Sequence, residues 1–307
     1  MFAPPEPIQA EVFARLPDHY RREGVASAWA AARRSGAPIP CFLEGPSFDR
    51  AGTLFVTDIP FGRVFGISPD GMFDLVAEYD GEPNGLKIHR DGRAFITDYR
   101  NGIVELDLAT GQTKPALERR YTEGFKGVND LFFADNGDMY FTDQGRTGHQ
   151  DPTGRVYRWT AEGRLDCLLT TGVNPNGIVL SADGHSLYVA MTNANAVWHL
   201  ALMPNNDAIA AGTAIQLSGG IGPDGLALTE DGGLVVAHPK MGTVWVFNPR
   251  GEPIYRVNTA GSDFITNVAF GGPDMRTLYF TDSGAGLIQR ARLPVAGRRM
   301  FSHSEAP

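Results

Sequence analysis

Cysteine is scarce in this chain: 307 residues hold two, Cys41 and Cys167, with no CxxC pair and no His/Cys cluster at zinc spacing. A disulfide framework and a structural zinc site are therefore not expected. Each thiol sits in an apolar stretch, Cys41-Phe42-Leu43 and Cys167-Leu168-Leu169, and reads as a core residue. Positive charge is also short. The 27 Lys and Arg face 35 Asp and Glu, a net charge of −8, so no nucleic-acid partner held by phosphate neutralisation is expected. Apolar runs never approach the roughly 18 residues of a membrane span, so no membrane partner is expected either. The opening stretch, Met1 to Gln9, is proline-rich with neither a basic start nor an apolar segment. Arg21-Arg22 runs into Glu23-Gly24, not into a hydrophobic segment. No secretory or twin-arginine leader is read, and the expected location is cytoplasmic. A Gly-x-Ser-x-Gly elbow, a P-loop and a GxGxxG before a helix are all missing, which removes support for serine-hydrolase and nucleotide chemistry.

What is plentiful is turn chemistry, with 37 glycines and 21 prolines, and a pattern that recurs. A polar residue, often followed by Gly, opens an apolar strand; a turn follows; a second strand then ends in a small or acidic residue. Copies start at Glu44, Asn84, Asn129, Asn176, Asp224 and Asn267, separated by 40, 45, 47, 48 and 43 residues. Such a period fits either helical repeats or propeller blades. The apolar segments decide it: Leu54-Phe55-Val56 and Met139-Tyr140-Phe141 are short and rich in β-branched or aromatic residues. Asp91-Gly92, Asn136-Gly137, Asp183-Gly184 and Asp231-Gly232 precede four of them as hairpin turns. With a third strand such as Gly154 to Trp159, and a fourth after the next turn, the expected fold is all-β: a six-bladed β-propeller over residues 41–307. Residues 1–40 are expected outside it, as an extension with a short helix over Tyr20 to Arg34.

Inner strands of a propeller line its axis, so the first residues of the copies form a ring at one mouth. Asn and Asp beside Gly are also ordinary turn residues. Taken together, though, Glu44, Asn84, Asn129, Asn176, Asp224 and Asn267 would gather a side-chain oxygen from every blade, a polar cluster that is costly unless something fills it. Carboxylate and amide oxygens without Cys or His suit a hard divalent cation. Ca²⁺ is favoured, with Mn²⁺, Mg²⁺ and Zn²⁺ as alternatives, and Glu44 and Asp224 supply two negative charges.

These residues carry a resemblance to the senescence marker protein 30, gluconolactonase and regucalcin family, from about Phe42 to Ala291. Glu44-Gly45-Pro46 followed by Phe55-Val56-Thr57-Asp58-Ile59-Pro60 looks like the family's first-blade motif. Pro175-Asn176-Gly177 and Pro223-Asp224-Gly225 match its Asn and Asp ligand motifs. The resemblance implies Glu44, Asn176 and Asp224 as metal ligands, and Asn129 of Val128-Asn129-Asp130 as a contact to substrate or metal, counted here as a fourth ligand. Lys126 and Gly127 stand where the family carries an arginine. Phe141 to Arg146 through Gly154 to Tyr157 is similar to the bacterial drug-responsive lactonase branch, which makes Asp143 a functional candidate.

The implied reaction is opening of a cyclic ester by water, with a cation polarising the carbonyl and Asp224 as general base. Asn84, Lys126, Asp143, Asn267 and His238 are the substrate-binding candidates. His238 is included because it falls at the strand end that carries Asp in four other copies, and His149 lies on a long loop of blade three. The aromatics Phe61, Tyr99, Phe125 and Phe264 are expected near the mouth. The expected partner is a small lactone or ester, and a homo-oligomer is compatible with the composition. A phosphotriesterase or arylesterase on the same cation, and a non-catalytic ligand-binding propeller, are the competing readings.

Overall fold

Every repeated signature folds as an antiparallel hairpin, and two further strands complete a sheet around each. The computed structural model describes residues 2–304 apart from 34, 204 and 206. Blade one is Leu43–Phe48, Leu54–Asp58, Arg63–Ile67 and Phe73–Glu78, paired in that order. Blades two to four repeat the arrangement, with inner strands Pro83–Ile88, Val128–Phe133 and Pro175–Leu180. Blade five starts at Leu226–Leu228 and blade six at Ile265–Gly271, making the six-bladed β-propeller read from the repeat.

Apolar alternation on both faces of each sheet is buried between neighbours, because every blade is covered on both sides. A separate cluster fills each gap. Phe55, Val64, Leu86 and Ile96 lie between blades one and two, and Leu54, Val56, Ala269 and Ile288 close the circle between six and one. Cys41 is buried in that closing cluster and Cys167 borders the cluster between blades two and three; both are free thiols.

The segment before residue 41 departs from its expected place outside the propeller. Glu11–Arg15 pairs antiparallel with Leu287–Arg292 as the fourth strand of blade six. Glu6–Gln9 pairs in parallel with Pro253–Asn258, adding a fifth strand to blade five. Blade six has only three strands of its own, and its open edge is satisfied by the start of the chain. The helix is also shorter than the span expected from Tyr20, since α-helix covers only Ala28–Arg33. Trp29 and Ala30 pack on Phe42 and Ile59, so the helix sits over one end of the axis, not on the outer surface. Among the described residues, no helix is long and apolar enough to cross a membrane.

Candidate metal centre and substrate cavity

The polar ring owes its aim to an irregularity repeated in the inner strands. Pairing register shifts between Glu44 and Ser47, Pro83 and Leu86, Val128 and Leu131, Pro175 and Ile178, and Ile265 and Val268. The irregularity contains Asn84, Asn129, Asn176 and Asn267 and begins directly after Glu44, and such a bulge re-aims the side chains at its site. The glycine that follows is required by crowding. Gly45 has φ of +57°, and a Cβ there would collide with the carbonyl oxygen of Asn84 on the next blade.

The Thr-Asp pair ending the second strands fixes this geometry in two directions. Thr57 Oγ1 donates to Asn84 O (2.6 Å), Thr97 Oγ1 to Asn129 O (2.5 Å) and Thr142 Oγ1 to Asn176 O (2.8 Å), tying each ring residue's backbone to the preceding blade. Thr192 Oγ1 does the same for Pro223 O at 2.8 Å, just before Asp224. The aspartates turn inward on their own blades, accepting backbone N–H groups from the loop before the inner strand: Phe42 to Asp58, Glu82 to Asp98, Gly127 to Asp143 and Ser262 to Asp282.

Glu44, Asn84, Asn129, Asn176 and Asp224 line one cavity of about 490 Å³. Gln144, Asn174 and Asn193 add carboxamides to its wall, whereas Phe42, Ile59, Ile221 and Phe264 make an apolar side and Trp29, Arg33 and Tyr99 complete it. A slightly larger groove of about 530 Å³ lies among the turns of blades six and one, at Asp49, Arg50 and Pro273, and holds none of the ring residues.

The ring's sixth member lies deeper. Asn267 Nδ2 donates to Glu44 Oε2 at 2.9 Å and to Asp130 Oδ2 at 3.3 Å, and Glu44 Oε2 also accepts from Gly45 N at 2.8 Å. Asn267 thus orients Glu44 from below and does not line the cavity as a substrate-binding residue. Asn176 Nδ2 donates to Thr192 Oγ1 at 3.2 Å.

Burial pushes the Glu44 carboxyl up to about 7, with the Asp130 charge adding to the effect against the hydrogen bonds it accepts. Burial, then the charges of Glu44 and Asp130, hold Asp224 well above the usual carboxylate range, although one side of it opens to the cavity. Asp130 is raised by burial as well, opposed by Lys87, whose Nζ stands 3.9 Å from Oδ1. Three carboxyls crowded with one ammonium lack positive charge, and their donors are oxygens alone. Such a set fits a hard divalent cation held by the Glu44 and Asp224 carboxylates and the amide oxygens of Asn129 and Asn176. Among the described residues no three His, Cys, Asp or Glu side chains gather at metal-ligand spacing, so a centre here depends on its carboxamides.

Several expected site residues are elsewhere. His238 is buried, its Nε2 3.1 Å from Gly219 O and its Nδ1 accepting from Trp245 Nε1 at 3.1 Å, so it does not face the cavity. Lys126 is exposed and bonds Thr153 Oγ1 at 2.6 Å, away from the cavity wall. Asp143 is spent as the capping aspartate of blade three, although its Oδ2 is buried without a hydrogen-bond partner among the described residues. His149 is exposed on its loop. Of the aromatics, Tyr99 and Phe264 line the cavity. Phe61 lies instead against the Arg22 and Arg63 guanidiniums, and Phe125 packs on Phe141 and Tyr157. Two groups of the deep cluster, Asp130 and Lys87, were missed. The available signal was Asp130 itself, which follows its ring residue where four other copies carry Gly.

Residues 42–284 match the SMP-30/gluconolactonase/LRE-like region. The chain belongs to the SMP-30/gluconolactonase/LRE-like family. The match covers all six ring residues and stops short of the N-terminal helix, so Trp29 and Arg33 reach the cavity from outside the family region. A curated relative, the lactonase drp35 of Staphylococcus aureus, is 31% identical over 243 residues, spanning 76% of this chain and 73% of that protein. Among solved structures, a calcium-binding regucalcin of Agrobacterium tumefaciens superposes with a TM-score of 0.76 at 22% identity over 97% of this chain and 98% of that one. A gluconolactonase of Xanthomonas campestris gives 0.74 at 23% over 96% and 99%. At these identities the structural likeness bears on the fold.

Proposed function

We propose that the protein is a lactonase, hydrolysing a cyclic ester at a divalent-cation centre on the propeller axis. The observation that carries this reading is the convergence of Glu44, Asn129, Asn176 and Asp224, from four blades, on one cavity that also has an apolar wall. Membership of a family with a curated lactonase relative supports it. Ca²⁺ suits the oxygen-only donors, with Mn²⁺, Mg²⁺ and Zn²⁺ as the alternatives to be compared.

A cation held by those four residues would polarise the lactone carbonyl and offset charge on its oxygen as water adds. Asp224 takes the proton of the attacking water. When the ring C–O bond breaks, Asp224 returns that proton to the departing alkoxide, so one water is consumed and a hydroxy acid leaves. Burial and the neighbouring Glu44 and Asp130 charges disfavour a free Asp224 carboxylate, so a bound cation would be what keeps it ionised and able to act as base. Asn267 and Gly45 keep Glu44 in place, and Thr142 and Thr192 hold the backbones that carry Asn176 and Asp224. Phe42, Ile221 and Phe264 keep bulk water from one side of the substrate.

The deciding experiment assays γ- and δ-lactones, aryl esters and organophosphate triesters after chelation and after return of Ca²⁺, Mn²⁺, Mg²⁺ or Zn²⁺. Lactone turnover lost on chelation and regained with one ion is the expected result. Dominant triester or aryl-ester turnover would move the protein to the neighbouring hydrolase class. No turnover with any ion would favour a ligand-binding propeller.

A further inference from the structure

The mouth of the cavity carries a charge opposite to that of its floor. Arg33 ends the helix Ala28–Arg33, and its guanidinium carbon lies 4.1 Å from the centre of the Tyr99 ring, itself part of the wall. Trp29 seats the helix on Phe42 with ring centroids 4.8 Å apart, and Arg146 Nη2 donates to Ala32 O at 2.7 Å, so Arg33 has a fixed base. Among the described residues Arg33 is the only cationic side chain lining the cavity, and no described carboxylate comes within ion-pair distance of it. Glu82 acts on it only at longer Coulombic range. Although Arg33 keeps an exposed edge, partial burial lowers its pKa from the ordinary guanidinium range.

A guanidinium stacked on an aromatic ring commits its flat face to the ring and leaves its N–H fork at the edge, which matches carboxylate or phosphate oxygens in a bidentate manner. The cavity is therefore polarised, with Glu44 and Asp224 at the floor, amides between, and a guanidinium at the mouth. About 490 Å³ is enough for a small ring carrying one substituent. We propose that Arg33, braced by Tyr99, selects lactones that bear an anionic group, a carboxylate or a phosphate ester, on the side of the ring away from the carbonyl. The substrate class deepens the lactonase reading above and rests on it.

The test compares kcat/KM for a neutral γ-lactone, its carboxylate-bearing analogue and a phosphorylated one, in the wild type, Arg33→Ala and Arg33→Lys. In parallel, calorimetry measures binding of the ring-opened dicarboxylate. The expected result is that the anionic-to-neutral ratio of kcat/KM falls about 10- to 100-fold in Arg33→Ala, mainly through KM, and is partly retained in Arg33→Lys. The better of the two anionic substrates identifies the group. An unchanged ratio, with both activities falling together or neither falling, would overturn the proposal and leave Arg33 a structural residue. Absent turnover together with Arg33-dependent binding of the dicarboxylate would refute the lactonase reading and keep the anion site; absent turnover with binding indifferent to Arg33 would refute both.

Discussion

Glu44 and Asp224 share the cavity floor but differ in support. Glu44 Oε2 is held by Asn267 Nδ2 and Gly45 N, whereas Asp224 stands between two other acidic groups, with an Asn176 hydrogen bond favouring its charge. Glu44→Gln should therefore weaken cation binding by about 10- to 100-fold and let saturating ion restore much of the rate. Asp224→Asn should cost roughly 100- to 10,000-fold in kcat that added ion does not recover. Calorimetric titration of the ion beside steady-state kinetics separates the two, and an Asp224→Asn protein with normal affinity and full turnover would move the base elsewhere. His238 makes a different prediction. The Trp245 indole can only donate, so the His238 proton sits on Nε2 and points to Gly219 O. Burial depresses its pKa below 6.5, against the Gly219 bond, and burial depresses that of His303 too. At this site the unfolded chain binds more protons than the folded one below that value, so the histidine's contribution to stability is complete above about pH 6.5 and is lost as pH falls, whereas the raised Glu44, Asp130 and Asp224 carboxyls act in the opposite sense. His238→Gln should therefore make the slope of Tm against pH between about 5 and 7 less positive than in the wild type, with His303 still contributing; thermal scans with identical slopes would refute this. Asp130 marks where reading single residues stopped. It occupies the glycine position of the repeat, and the cause lies one blade away, where the bare Cα of Gly85 leaves room for it: a Cβ there would stand 2.5 Å from Asp130 Oδ1.

At the level of the strand, the Thr-Asp signature reads as a strand end in sequence and proves to be a joint between blades. Thr142 Oγ1 accepts from Asp130 N at 3.1 Å and donates to Asn176 O at 2.8 Å, so one hydroxyl serves two blades. Thr142→Val keeps the shape and orphans both backbone groups, at about 1–3 kcal/mol for each buried group left unsatisfied. Denaturant midpoints should fall accordingly, and cation affinity should fall with them because Asn176 loses its anchor; Thr142→Ser should recover most of both. A loss of stability with unaltered affinity would mean that the joint does not position the centre. The same signature explains why His238 misled. Its place at a strand end was legible, yet in blade five that place holds no capping aspartate, and the imidazole turns instead to Trp245 of the next strand. The ring residues were legible because the bulge recurs in five inner strands, giving each polar residue the same spacing from the hairpin turn, with a glycine after it in three of the five.

For the whole molecule, the closure of the ring was not legible. Glu11–Arg15 and its partner Leu287–Arg292 lie at opposite ends of the chain, and a five-residue strand carries too short an alternation to announce its pairing. The consequence is that the start of the chain does two jobs: it completes blade six, and the stretch after it carries Trp29 and Arg33 to the cavity. Arg63 links them, pairing with Asp58 at 2.5 Å and donating to Tyr20 O at 2.8 Å. Deleting residues 2–16 should separate the two jobs. The deletion exposes the edge of blade six and removes Leu16, fully buried between blades six and one. Leu16 alone accounts for about 1.5–3 kcal/mol, and each lost ladder hydrogen bond for roughly 1 more. Several kcal/mol is a large part of the ~5–15 kcal/mol that holds a domain folded, so the truncated protein should melt far lower and self-associate through its bare strand edge on size-exclusion chromatography. A peptide spanning residues 2–17 added in trans should restore both the melting temperature and the elution position of the full chain. Where the truncated protein remains folded, its anionic-to-neutral substrate ratio should match that of the full chain, because Trp29 and Arg33 are still attached. A truncated protein as stable as the parent would show that blade six closes without the strand, and a stable one that has lost the ratio would place the seating of the helix in the first residues instead of in Phe42 and Arg146.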